Sequence, residues 1–264
     1  MRLARLVGFC AIILAPNVAI GAEHSNAAAL AALVAAYPDH FAAIEGNNLV
    51  WRDGTRMPID DGIAGKELDA LLDAPDIEDQ FSMPYPAGAA ALPPARNFDP
   101  GRVRYEPLFR KMYGDCRKGG MPKLATVRWL PSHRGGSVTI TTINGIDKAL
   151  AAVSAELDRL PASFTRYLIP SSGTFNCRAI AGTSRMSMHA YAAAIDINTR
   201  FTDYWRWSKP DAAGNYPFKN RIPAEIVAIF EKHGFIWGGR WYHYDTMHFE
   251  YRPELIAAAA QPGK

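Results

Sequence analysis

The chain has 264 residues, 48% of them apolar and 21% charged, an ordinary globular composition that fits one large domain or a domain with an appendage. Its 29 basic and 26 acidic residues leave a formal charge of +3. That balance lacks the concentrated basic surface on which nucleic-acid affinity depends.

Met1 to Ala22 reads as a secretory signal. Arg2 and Arg5 form its charged start, Leu6 to Leu14 its apolar core, and Ile20-Gly21-Ala22 its cleavage site. The apolar run is too short to span a bilayer, and no other stretch is long enough, so stable membrane insertion after signal removal is not expected. The expectation is a periplasmic or secreted protein. Removal of the signal takes Cys10 with it and leaves Cys116 and Cys177, which in an oxidising compartment either pair or stay as buried thiols.

Residues 102–264 read as the domain that carries the chemistry, and residues 23–101 as an N-terminal extension packed on it. The alanine-rich stretch Ala27 to Ala36 predicts a helix that stops before Pro38. Asp53-Gly54-Thr55, between Asn48–Arg52 and Arg56–Ile59, predicts a hairpin. Lys66 to Leu72 predicts a short helix, and the proline- and alanine-rich Ser82 to Gly101 an extended connection. Leu124–Leu130 and Ser137–Ile143 predict a strand pair. Ile146, Leu150, Val153, Leu157 and Leu160 recur at helical steps until Pro161. Arg166–Ile169 reads as a strand, Ile222–His233 as a helix, and Phe235–Trp237 and Met247–Tyr251 as strands. Strand pairs separated by single helices predict an α+β fold with a small antiparallel sheet and flanking helices.

The chemistry concentrates in two stretches. Ser187-Met188-His189 is followed, seven positions after the histidine, by Asp196; Asp245-Thr246-Met247-His248-Phe249-Glu250 lies far downstream. Zinc takes neutral imidazole and carboxylate readily, and a catalytic site supplies three protein ligands and leaves one position open. His189, Asp196 and His248 are the candidate ligands of one zinc ion per chain. Asp245, three residues before His248, is the candidate general base. Glu250 shares a strand face with His248 and either orients a ligand imidazole or forms a surface ion pair. His243 is near enough in sequence to touch substrate or shuttle a proton. Ser187 is either a turn residue or a hydrogen-bonding neighbour of the ligands. Tyr204, Trp205 and Trp207 form either a groove lining or core.

Together, Ser-x-His-x6-Asp and Asp-x-x-His-Phe-Glu resemble the zinc D-alanyl-D-alanine peptidase family. That family includes vancomycin-resistance carboxypeptidases and L-alanyl-D-glutamate endolysins, on the fold shared with hedgehog signalling domains. The likeness runs from about Leu124 to Leu255. It implies that His189, Asp196 and His248 bind zinc, that Asp245 is the base, and that an upstream arginine binds substrate and stabilises the oxyanion. Arg178 fits that arginine best and Arg185 is the second choice. The chain departs from the family at Ala192, where glycine is usual; a left-handed backbone there would strain the turn. The implied activity is hydrolysis of peptidoglycan stem peptides, at D-Ala-D-Ala or at L-Ala-D-Glu, with Phe249-Glu250 leaning toward the endolysin-like branch. The competing reading is a non-catalytic zinc-containing cell-wall-binding module of the same fold.

Overall fold

The computed structural model describes residues 26–88 and 92–260. The expected signal segment and Cys10 lie outside them. The order is α1 (Ala27–Ala36), β1 (Phe41–Glu45), β2 (Asn48–Trp51), β3 (Arg56–Pro58), α2 (Leu68–Asp73) and α3 (Glu106–Tyr113). It continues with β4 (Leu124–Arg128), β5 (Ser137–Thr141), α4 (Ile146–Leu157), α5 (Thr165–Leu168), β6 (Ala194–Asp196), α6 (Ala224–Lys232), β7 (Phe235–Trp237), β8 (His248–Tyr251) and α7 (Pro253–Ala259). Three small antiparallel sheets form, in the orders β1-β2-β3, β4-β5 and β6-β8-β7. The fold is α+β.

The Asp53-Gly54 turn joins β2 to β3 as its chemistry predicts, and β1 adds a third strand. Helix α4 buries Ile146, Leu150, Val153 and Leu157, the residues that share one face at helical spacing. The prediction fails at Arg166–Ile169, where α5 forms a single helical turn instead of a strand. Helix α4 ends at Leu157, and Pro161 opens a 3₁₀ turn, Ala162–Phe164, that continues into α5. Proline favours a helix start as readily as it enforces a stop, and four residues are too few for a period to show.

The sheet that matters most has β8 at its centre. Its register pairs Asp196 with His248, Ile195 with Phe249, and Ala194 with Glu250. Side chains alternate along a strand, so Asp196, His248 and Glu250 share one face. Phe249 points the other way and stacks on Phe230 of α6 at 3.8 Å between ring centres. Phe230, Phe235, Trp237, Ile195 and Phe249 are fully or nearly fully buried. One face of the sheet is therefore core and the other is free to carry chemistry. Helix α1 packs on α7, which brings the N-terminal part against the end of this sheet.

Candidate metal centre

Asp196 and His248 meet because they are direct partners in the β6–β8 register: His248 Nδ1 lies 3.1 Å from Asp196 Oδ1. His189 arrives from a 3₁₀ turn, Met188–Tyr191, opened by Ser187, whose hydroxyl accepts the His189 backbone N–H at 3.3 Å. Its Nε2 stands 3.1 Å from Asp196 Oδ1 and 3.2 Å from His248 Nδ1. Three donor atoms from two distant stretches thus form a near-equilateral triangle. Zinc bonds of about 2.0–2.1 Å in tetrahedral geometry imply ligand–ligand edges of about 3.3 Å, which these distances match closely.

The outer nitrogens fix the tautomers. His189 Nδ1–H donates to the Thr174 carbonyl at 2.8 Å, which only accepts, so Nε2 presents its lone pair. His248 Nε2–H donates to Glu250 Oε2 at 2.9 Å, so Nδ1 does the same. Glu250 is fully buried. A surface ion pair is ruled out for it; it orients the imidazole.

The electrostatics favour a cation. Burial pushes the His248 imidazole down, but Asp196 and Glu250 outweigh it and hold it up at about 10. Burial pushes the Asp196 carboxyl up, yet the two imidazoles hold it well below the usual carboxylate range. Charge, donor set and spacing all fit zinc. A second acidic group, Asp60, Asp61 and Asp76, already has a cation beside it: Lys66 Nζ lies 2.7 Å from Asp61 and 3.5 Å from Asp76.

An open cavity of about 590 Å³ covers the triangle, a size suited to a small ligand. Asp245 lines it. The Asp245 carbonyl accepts the His248 backbone N–H at 3.2 Å, so one turn holds both residues. Gly238 packs against that turn so closely that a Cβ would meet the Asp245 carbonyl oxygen at 2.5 Å. Asp245 Oδ1 is buried without a hydrogen-bond partner among the described residues. Burial, followed by repulsion from Asp196, raises its carboxyl to about 6.

The other expected residues divide. Arg178 lines the cavity; its guanidinium bonds the Ala179 carbonyl at 3.3 Å and no carboxylate among the described residues. Arg185 stays outside the cavity and leans on Asp73 at 3.5 Å. His243 also stays outside, with Nδ1 2.6 Å from Asp99 Oδ2, so it does not reach the substrate space. Ser187, Tyr204 and Trp207 line the cavity, whereas Trp205 packs edge-on against Tyr216 and His243. Cys116 and Cys177 form a disulfide, with Cα atoms 6.0 Å apart, next to Arg178. Ala192 has φ 52° and ψ 33°, the left-handed conformation that the family glycine would adopt without strain.

Three cavity residues had no signal in the sequence. Arg102, Arg104 and Trp241 line it, and Arg102 also donates to the His243 carbonyl at 2.8 Å. Arg102 and Arg104 come from the segment that leads out of the N-terminal part, where two arginines in an irregular stretch look like any solvated pair.

No curated protein and no solved structure matches the chain at a significant level. The stretch that holds all three candidate ligands and Asp245, residues 181–251, matches the family model described as D-alanyl-D-alanine carboxypeptidase, a family of zinc peptidases.

Proposed function

We propose that the protein is an exported zinc metallopeptidase that removes the terminal D-alanine from peptidoglycan stem peptides. The observation that carries this reading is the meeting, in one cavity, of three converging ligand atoms with a buried carboxylate oxygen that has no partner among the described residues. A site that only stored a metal has no use for an unpaired carboxylate, whose burial costs free energy.

His189, Asp196 and His248 would hold the ion. When bound, zinc polarises the scissile carbonyl and lowers the pKa of water toward neutrality. Asp245 accepts the proton that the attacking water gives up, and returns it to the leaving amine. Its burial raises its pKa, which suits it to take and to release a proton. Arg178 faces the carbonyl oxygen and stabilises the negative charge that develops there. Tyr204, Trp207 and Trp241 wall the cavity and hold the stem peptide. The N-terminal signal-like stretch and the disulfide support a place in the cell envelope, where the substrate is.

The test is incubation of the purified chain with defined stem pentapeptides, with and without a chelator, followed by mass spectrometry. Loss of one terminal D-alanine, abolished by chelator and restored by zinc, is the expected result. Cleavage between L-alanine and D-glutamate would reassign the bond, and no product under any condition would leave the protein a zinc-containing binding module.

A further inference from the structure

What holds Glu250 beneath His248 comes from outside the matched stretch. Arg104 grips both carboxylate oxygens: Nε donates to Oε1 at 3.2 Å and Nη2 donates to Oε2. Oε2 in turn takes the His248 Nε2 proton. Arg252 Nη1 also donates to Oε1, at the longer distance of 3.5 Å, while its shorter bonds go elsewhere. It bonds Glu254 and, at 3.2 Å, the Gly101 carbonyl. The segment bearing Arg104 also fixes the other side of the imidazole. Pro100 accepts the Trp241 indole N–H at 2.6 Å, and the Trp241 ring lies 5.7 Å from that of His248. Arg104 itself lies over the Trp241 ring, at 6.0 Å.

A carboxylate held at one oxygen still pivots about its stem; one held by both prongs of a guanidinium does not. We propose that Arg104 is a positioning residue of the metal centre, whose two-point grip on Glu250 fixes the tautomer and plane of His248 and sets how tightly the site holds a divalent cation. The inference rests on the metal reading of the site and extends it to a residue 146 positions from Glu250 in sequence. The metal centre is thereby shared between the matched stretch and the segment that leads into the domain.

The experiment reads metal binding, not turnover. Zinc affinity of the full chain is measured by competition with a chromogenic chelator, and site geometry from the visible spectrum of the Co²⁺-substituted protein. Arg104→Met is expected to weaken zinc binding about 10–100-fold, the usual effect of losing an outer-shell partner, and to shift the cobalt bands. Arg104→Lys keeps the charge without the fork and is expected to recover only part of the affinity. In a Glu250→Gln background Arg104→Met is expected to add little, because Arg104 acts through Glu250. Arg240→Met breaks the buried Arg240–Glu231 pair, 3.1 Å apart and outside the cavity lining, and is expected to leave zinc affinity unchanged.

Unchanged affinity and spectrum in Arg104→Met would overturn the proposal. So would full recovery by lysine, full additivity in the Glu250→Gln background, or an equal loss in Arg240→Met. Arg104→Lys retains a cation against Glu250, so the comparison with wild type stands even where the methionine variant does not fold. A wild-type chain that takes up neither zinc nor cobalt is a different failure, that of the metal reading itself.

Discussion

At the scale of single residues, Asp245 and Ala192 carry the most. Asp245 has to be ionised to accept a proton, and burial and Asp196 raise its carboxyl to about 6. Its charged fraction grows as pH rises through that value, so kcat/KM should climb along a limb at or below about pH 6, a bound cation moving it lower. Asp245→Asn should cut turnover about 10²–10⁴-fold, the usual worth of a positioned general base, and abolish that limb while zinc content is unchanged. Loss of zinc along with activity would make Asp245 a ligand instead. Ala192 poses a different question, because its left-handed backbone ends the turn that delivers His189. An L-residue there costs about 1–2 kcal/mol. Glycine would relieve that but lose about 0.8 kcal/mol of methyl burial and about 0.4–1 kcal/mol through a freer unfolded chain. The terms nearly cancel, so Ala192→Gly should change stability by less than about 1 kcal/mol in a urea titration. Ala192→Val adds β-branching at positive φ and overpacks a site with no exposure, and should cost about 3 kcal/mol or more. The departure from glycine was visible in the sequence; its sign was not, because φ depends on where the turn must send the chain next.

At the scale of elements, how legible a feature was depends on how local its cause is. The Asp53-Gly54 hairpin and the α4 face were readable because turn chemistry and period reside in consecutive residues. The ligand set was readable because each half lies in one short stretch. Its meeting was not, since it depends on the β6–β8 register, and a slip of one residue would turn His248 into the core. Arg166–Ile169 misled because four residues fit a strand and a helical turn equally. The disulfide links the 3₁₀ turn after α3 to the loop before Arg178, closing a span of 61 residues. In the chain-entropy model such a loop is worth about 4 kcal/mol. Cys116→Ser with Cys177→Ser should therefore lower the unfolding free energy by roughly that amount. Because Cys177 adjoins Arg178, whose charge acts on the developing oxyanion, the pair should also lower kcat more than it raises KM. An unchanged urea midpoint in the double variant would show that the bond constrains neither state.

At the scale of the whole molecule, the contacts across position 101 decide how the chain divides. Tyr37 of the N-terminal part donates to Glu254 Oε2 at 2.6 Å, and Tyr85 to Glu231 Oε1 at 2.7 Å, both buried. Tyr85 also accepts the Trp237 backbone N–H, at 2.9 Å, at the end of β7. Asp99 holds His243 at two points, through the backbone N–H at 2.9 Å and Nδ1. Leu30, Leu33 and Phe41 join the same buried cluster as Phe235, Trp237 and Leu255. Hydrogen bonds to buried charged groups contribute about 1.5–3 kcal/mol each, and each large apolar side chain about as much again. Removing several of both at once exceeds the whole stability of a typical domain, about 5–15 kcal/mol. A chain beginning at Arg102 should therefore fail to unfold cooperatively on heating, by circular dichroism and calorimetry, and should bind zinc weakly. Adding back residues 23–101 as a separate polypeptide should restore part of both. A truncated chain that melts sharply and binds zinc like the full one would show that the sheet and its ligands stand alone, and that the N-terminal part is a removable cover.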